Sequence, residues 1–249
     1  MPLKLRKKKI KMNVLLFDLD NTLINFDKAV NHALNKIFNQ YFISNTKKNR
    51  DLFFHINRSL WKEHKEGKIT RQELLSSRFA QIFCKLGVTR NYDPTIVDNT
   101  FQYHLSQECE LMENALELLE SLQNKNIEMY IVSNSTNKIA VPRIIGAGIS
   151  VFFDDVFLSE TIGCPKPSIA FFEYAFKHIP NSRNKNFIII GDTLDTDIQG
   201  GQNAGIKTVW YNPKNLKNES NIKPNYIVHD LLDILRLPFI SPDSLEEEK

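Results

Sequence analysis

The sequence predicts an α/β fold: a parallel sheet covered by helices on both faces, with a compact helical domain inserted after the first strand. Three observations carry this. From about Met112 onward, strand-sized apolar runs alternate with helical segments. Those runs are continuously apolar rather than alternating, as in strands buried on both faces. Residues 26–109 instead space their apolar positions by three and four, the period of a helix face. Finally, carboxylates stand directly behind the strands, and ligands of parallel sheets bind at the carboxyl ends.

The first strand is the apolar run that ends in "VLLFDLDNTLI". The first inserted helix, "FDKAVNHALNKIFNQYF", aligns Phe26, Val30, Ala33, Leu34, Ile37, Phe38 and Tyr41 on one face. "RDLFFHINRSLWKEHKEG" is a second helix closed by Gly67, at the position where a left-handed residue fits. Thr70 and Glu73 form a capping box for "RQELLSSRFAQIFCKLG", closed by Gly87, and Pro94 opens a fourth helix. The helix "ENALELLESLQNK" then leads into the strand "IEMYIVSN". A helix near Lys138–Ile145, the strand "DDVFLS", a helix from Pro167 and the strand "NFIIIGD" follow. A helix starting near Asp195, which reads as its cap, precedes the strands "KTVWY" and "YIV" and a final "DLLDIL" segment.

Hydrophobic content of 42% and charged content of 24% are those of an ordinary globular chain. No apolar run approaches the ~18 residues of a membrane span. The net charge of +3 is carried by the first eleven residues, whose six Lys and Arg leave −3 for the rest. Residues 1–11 read as a disordered basic leader without a role in the chemistry, and they lack the apolar core of a secretory signal. Residues 240–249 form an acidic tail. Cys84, Cys109 and Cys164 are odd in number and lack metal-type spacing, which excludes a disulfide framework and a structural zinc site and points to a reducing cytoplasm.

Asp18 and Asp20, two residues apart, point the same way along an extended backbone. Their like charges need a positive partner. Ser133 and Asn134 end the second strand, Asp192, Asp195 and Asp197 follow the fourth, and Lys166 is mounted between two prolines. Together these read as a site for a hard cation and a phosphate. Asp18, Asp192 and the backbone carbonyl of Asp20 offer the oxygen ligands that Mg²⁺ favours. Ser133 and nearby N–H groups offer bonds to phosphate, and Lys166 offers neutralising charge. The fitting chemistry is carboxylate attack on phosphorus with a second carboxylate moving the proton.

"FDLDNTL", Ser133, Lys166 and "GDTLDTD", in this order, resemble the haloacid dehalogenase (HAD) superfamily from Met12 to about Leu235. The resemblance implies a Rossmann-like, HAD-like core over 12–25 and 110–239 and a four-helix cap over 26–109. The hinges fall near Ile24–Phe26 and Glu108–Met112. It implies Asp18 as nucleophile and Asp20 as general acid, then base. It also implies Thr22 and Ser133, with Asn134 beside them, as phosphate-binding residues, and Lys166 as charge stabiliser. Asp18, Asp20 and Asp192 would hold Mg²⁺, with Asp197 in the metal's outer shell. Dehalogenases carry another residue at the place of Asp20, so the aspartate here implies a phosphatase. Ser133 stands where close relatives often have threonine, which keeps the hydroxyl.

The segments "LWKEHKEGKITRQELLSSRF", "SETIGCPKP" and "GDTLDTDIQGGQNAGIKTVWYNP" look like the bacterial pyrimidine 5′-nucleotidase branch. That implies a cytoplasmic monomer or homodimer acting on a small phosphorylated metabolite, a nucleoside monophosphate, with no membrane and no nucleic-acid partner. In the cap, Trp61 can stack on a base or, with Ile56 and Leu60, belong to a core face. Lys68 and Arg71 flank the turn between the second and third cap helices, as substrate contacts or as solvated turn residues. A sugar-phosphate phosphatase or phosphomutase using the same site stays open, as does a non-catalytic binding module.

Overall fold

A computed structural model describes residues 12–241. The basic leader 1–11 and all but the first two residues of the acidic tail lie outside the described residues. The chain divides into two units. One holds the described residues through Asn25, then Leu111–Ala140 and everything from Ala147, and the other holds Phe26–Glu110 with Val141–Gly146.

The first unit is built on a six-stranded parallel sheet. Its strands are β1 (Met12–Phe17), β2 (Glu128–Ser133), β3 (Asp155–Leu158), β4 (Lys185–Gly191), β5 (Lys207–Tyr211) and β6 (Tyr226–Val228). Their order is β3-β2-β1-β4-β5-β6. The chain moves outward from β1 to β3 and then returns to the other side of β1. This makes the carboxyl ends of β1 and β4 a topological switch point, where α/β sheets bind ligands. Phe17 pairs with Ile131 of β2 and with Ile190 of β4. Val14 to Phe17 and Ile189 to Ile190 have no exposed surface, as strands covered on both faces require. The crossings at Asn25–Phe26 and Glu110–Leu111 run side by side: Met112 N–H donates to the Leu23 carbonyl (2.8 Å), and Ile24 bridges Leu111.

The second unit contains α1 (Phe26–Gln40), α2 (Lys47–Lys65), α3 (Arg71–Lys85) and α4 (Pro94–Ser106). Each turns one apolar stripe inward, with Ala33, Leu34, Ile37, Phe38, Phe79, Ile82 and Phe83 fully buried. The Thr70–Glu73 capping box is formed, with the Thr70 N–H donating to Glu73 Oε2 (2.7 Å) and the Glu73 N–H to Thr70 Oγ1 (3.2 Å). The Tyr41 ring lies 4.8 Å from Phe83 and 6.4 Å from Tyr92. These contacts gather the end of α1, the end of α3 and the approach to α4 at one end of the bundle, opposite the linkers.

The segment Val141–Gly146, the second half of the helix Asn137–Gly146, groups with the helical unit. Its Arg143 is fully buried there, donating from Nε to the Glu108 carbonyl (3.0 Å), with its guanidinium 5.3 Å from the Phe26 ring. One expectation needs correction: Asp195 caps no helix. It lies exposed within a π-helical turn, Leu194–Ile198, in which Asp197 is the buried acid.

Candidate active site

Asp18 is the first residue past β1 and still belongs to the ladder, its N–H donating to the Ile190 carbonyl (2.9 Å). The chain then turns sharply. Leu23 and Ile24 N–H groups both donate to the Leu19 carbonyl (3.0 and 2.9 Å), and Asn21 takes the left-handed conformation (φ 59°) that Asn tolerates. The turn brings Thr22, fully buried, back to Asp18, its Oγ1 donating to Asp18 Oδ2 at a long 3.4 Å. Asp20 is half-buried in the same turn.

Lys166 is buried, and its three ammonium hydrogens have three acceptors. Nζ donates to Asp18 Oδ1 (2.6 Å), Asp197 Oδ1 (2.7 Å) and the Val132 carbonyl (2.6 Å). Asn134, just past β2, holds the lysine's backbone at both polar groups. Its Nδ2 donates to the Lys166 carbonyl (3.0 Å) and its Oδ1 accepts the Lys166 N–H (2.8 Å). Ser133 is buried, with its Oγ accepting the Ser135 N–H (3.2 Å).

Asp197 is held from the other side, with Oδ2 accepting the Thr193 N–H (3.1 Å). The carboxylate fits there only because residue 191 is glycine: a Cβ on Gly191 would meet it at 2.4 Å. Asp192 accepts from Thr193 Oγ1 (2.9 Å), and its carbonyl accepts the Trp210 indole N–H (2.8 Å).

Carboxylate oxygens of Asp18, Asp192 and Asp197 lie within 4.8 Å of one another. Burial pushes the Asp18 carboxyl well above its ordinary value. Lys166 opposes this, while Asp197, Asp192 and Asp20 add to it. Burial, then Asp197, pushes Asp192 up to about 7. Burial works against the Lys166 charge, yet Asp18 and Asp197 hold that ammonium above its ordinary value. Two buried carboxylates and the half-buried Asp192 against one ammonium leave unbalanced negative charge. An all-oxygen donor set with that excess fits a hard divalent cation, which would bring the raised carboxyls back down. The Asp20 side chain falls outside this trio.

The structure therefore brings together Asp18, Thr22, Ser133, Asn134, Lys166, Asp192 and Asp197, with Asp20 beside them. Trp61, Lys68 and Arg71 belong to the helical unit, around the α2–α3 turn. The Trp61 ring is edge-on to His64 (5.7 Å), and Lys68 is 66% exposed and paired with Glu66 (2.6 Å). Arg71 opens α3 and is half-buried. Sequence reasoning missed the Val132 carbonyl, which no side chain signals. It also missed Gly191, whose signal was a glycine directly after the three isoleucines of β4.

The haloacid dehalogenase-like hydrolase family matches residues 15–211. The pyrimidine 5′-nucleotidase PynA of Streptococcus pneumoniae is 34% identical over 89% of this chain and 92% of its own. The pyrimidine 5′-nucleotidase YjjG of Escherichia coli is 28% identical over 92% of this chain and 98% of its own. Among solved structures, the putative HAD-hydrolase YfnB of Bacillus subtilis, bound to magnesium, superposes with a TM-score of 0.85 at 32% identity, covering 93% of this chain and all of that one. With its carboxylates gathered at the switch point of a parallel sheet and a match that spans most of its length, the chain belongs to the haloacid dehalogenase-like hydrolases.

Proposed function

We propose that the chain is a Mg²⁺-dependent phosphomonoesterase that works through an aspartyl-phosphate and releases phosphate from nucleoside 5′-monophosphates, pyrimidine ones foremost. The observation that carries the reading is the Lys166 ammonium shared between Asp18 and Asp197, with Asp192 alongside. The nucleotide enters through the likeness to PynA and YjjG.

In the first step an Asp18 carboxylate oxygen attacks phosphorus, forming the O–P bond of an acyl phosphate. The bond to the ester oxygen breaks, and that oxygen takes a proton from Asp20. In the second step water attacks the phosphoryl group. Asp20 takes the water's proton, and the Asp18 bond breaks to release inorganic phosphate. Lys166 opposes the burial that raises the Asp18 carboxyl and so favours its ionised form. Asp18 and Asp192, with the Asp20 carbonyl, would hold Mg²⁺, which neutralises phosphate charge when bound. Asp197 holds Lys166 and stays behind the ligands. Thr22 and Ser133 supply hydroxyls to phosphate. Asn134 positions the lysine through its backbone, and its second amide N–H is offered to phosphate. Trp61 and Arg71 select substrate from the cap; Lys68, already paired with Glu66, contributes less. The three free cysteines support a reducing cytoplasm.

The test is phosphate release with Mg²⁺ from UMP, dUMP and dTMP against sugar phosphates and a chromogenic phosphate ester, with chelator controls. Preference for the nucleotides supports the proposal in full. Turnover of sugar phosphates alone discards the nucleotide and keeps the phosphatase. Full activity in chelator refutes the metal.

A further inference from the structure

The cap ends three of its helices with the same turn and breaks the residue rule once. After α1, the Ile43 N–H donates to the Phe38 carbonyl (2.8 Å) and the Phe42 N–H to Asn39 (3.2 Å). After α2, Lys68 donates to Glu63 and Gly67 to His64, and after α3, Val88 donates to Phe83 and Gly87 to Cys84. All three are Schellman turns, whose central residue is left-handed and is normally glycine. Gly67 (φ 71°) and Gly87 (φ 67°) follow the rule; Phe42 (φ 56°) does not. A bulky side chain is disfavoured in that region, and this one is not repaid by burial, because Phe42 is 84% exposed. The fold thus holds an aromatic ring out in water at a strained position. Such strain persists where function uses it.

What surrounds the ring indicates what it meets. It borders a cleft of about 900 Å³ between the start of α2 and the α1–α2 and α3–α4 loops, at the end of the bundle opposite the linkers. The Arg90 guanidinium lies 5.6 Å from the ring centre. Lys48 and Lys85 line the same cleft, and among the described residues neither they nor Arg90 form an ion pair. Asp51 is the only carboxylate in the lining. An exposed aromatic face with an adjacent guanidinium suits a planar base, and uncommitted cations suit phosphate. The volume is that of a small-molecule site.

We propose that this cleft binds a free nucleotide, its base stacked on Phe42 beside Arg90, its phosphates on Lys48 and Lys85, and its ribose hydroxyls donating to Asp51. The proposal does not depend on the substrate of the carboxylate site, since every group it uses belongs to the cap.

The test is equilibrium dialysis of the full chain with radiolabelled ATP in EDTA, so that no cation holds the triphosphate at the carboxylate site. One ATP per chain is expected. Phe42→Gly and Arg90→Ala should each weaken binding about tenfold, and Lys48→Glu with Lys85→Glu should abolish it. Hydrolysis of a chromogenic phosphate ester with Mg²⁺ should be unchanged in all of them. Phe42→Gly should also melt at a higher temperature than the parent, because glycine suits the turn; lost binding then cannot be lost folding. No ATP bound to the parent overturns the proposal, and so does binding that Phe42→Gly and Arg90→Ala leave intact. Retention of a single-stranded oligonucleotide or an acidic peptide in place of ATP overturns it too.

Discussion

One added methyl group at the end of β4 should cripple this enzyme. In Gly191→Ala the new Cβ would stand 2.4 Å from Cγ and Oδ2 of Asp197 and 2.5 Å from its Cβ, where ordinary contact begins at 3.4 Å. The whole Asp197 side chain must therefore retreat by about 1 Å. Its bond to Lys166 is 2.7 Å, so that retreat carries it beyond the ~3.2 Å limit of an N–H···O bond. The Thr193 bond, already 3.1 Å, goes with it. A hydrogen bond to a charged group contributes roughly 1.5–3 kcal/mol and an ordinary one about 1, so the variant should lose about 3 kcal/mol of stability. Lys166 is then held by Asp18 and the Val132 carbonyl without Asp197, and displacement of a catalytic group by about 1 Å costs on the order of 10² in rate. The control is Gly201→Ala. Its Cβ would meet Ile189 and Thr208 methyl carbons at 2.6 Å, well within the packed core. Overpacking there should cost about 1–3 kcal/mol with kcat almost unchanged. Urea denaturation and kcat on a chromogenic ester, measured on both variants, separate the two effects. Equal kcat values for the two would refute the Lys166–Asp197 argument.

Other variants probe the proposed chemistry and the cap. Asp18→Asn should abolish turnover, since an amide is a poor nucleophile, and Asp20→Asn should slow both formation and decay of the phosphoenzyme in a rapid-quench experiment. In the cap, Arg78 is buried with Nε and Nη2 donating to Asp98 Oδ1 (2.8 and 2.6 Å) and Nη1 to Asn57 (3.0 Å). Asp98→Ala strands that cation and should cost about 3–5 kcal/mol, whereas Arg78→Met with Asp98→Leu should come close to neutral in urea melts. Burial pushes the Glu108 carboxyl up, but hydrogen bonds from His32 and Lys36 prevail and hold it below its ordinary value. A depressed carboxyl stabilises above its unfolded pKa of about 4.3 and loses that contribution as pH falls through the folded value. Lys36→Met should therefore lower stability at pH 7, and the difference should vanish in acid; a pH-independent difference would refute the pairing.

Much of the fold was legible because the relevant signals are local. Continuous apolar runs marked β1 and β4, and the Thr70–Glu73 pair marked the start of α3. The order of the strands was not legible, since no residue in β4 says which side of β1 it will join. At the site, the acids could be read, but their division of labour could not. Asp195 looked like the helix cap because its spacing from β4 suits one. The π-helical turn changes which acid faces the strand, and only the folded backbone shows that. Asn134 shared the difficulty. After a strand an asparagine can meet phosphate or backbone equally well, and its reciprocal pair with Lys166 joins residues 32 positions apart.

The places where local rules fail are informative in their own right. A strand interior favours β-branched residues, yet β4 closes on Gly191. A Schellman turn favours glycine, yet α1 closes on Phe42. At Gly191 the missing side chain makes room for a carboxylate, so its cost in strand propensity is offset by the charge network around Lys166. At Phe42 the left-handed backbone is not repaid by burial, and the exposed ring meets the Arg90 guanidinium 5.6 Å from its centre. Sequences agree with their folds at most positions and depart from them where something other than folding constrains the residue. By that reasoning the first departure is explained by the carboxylate site, and the second requires a ligand of its own.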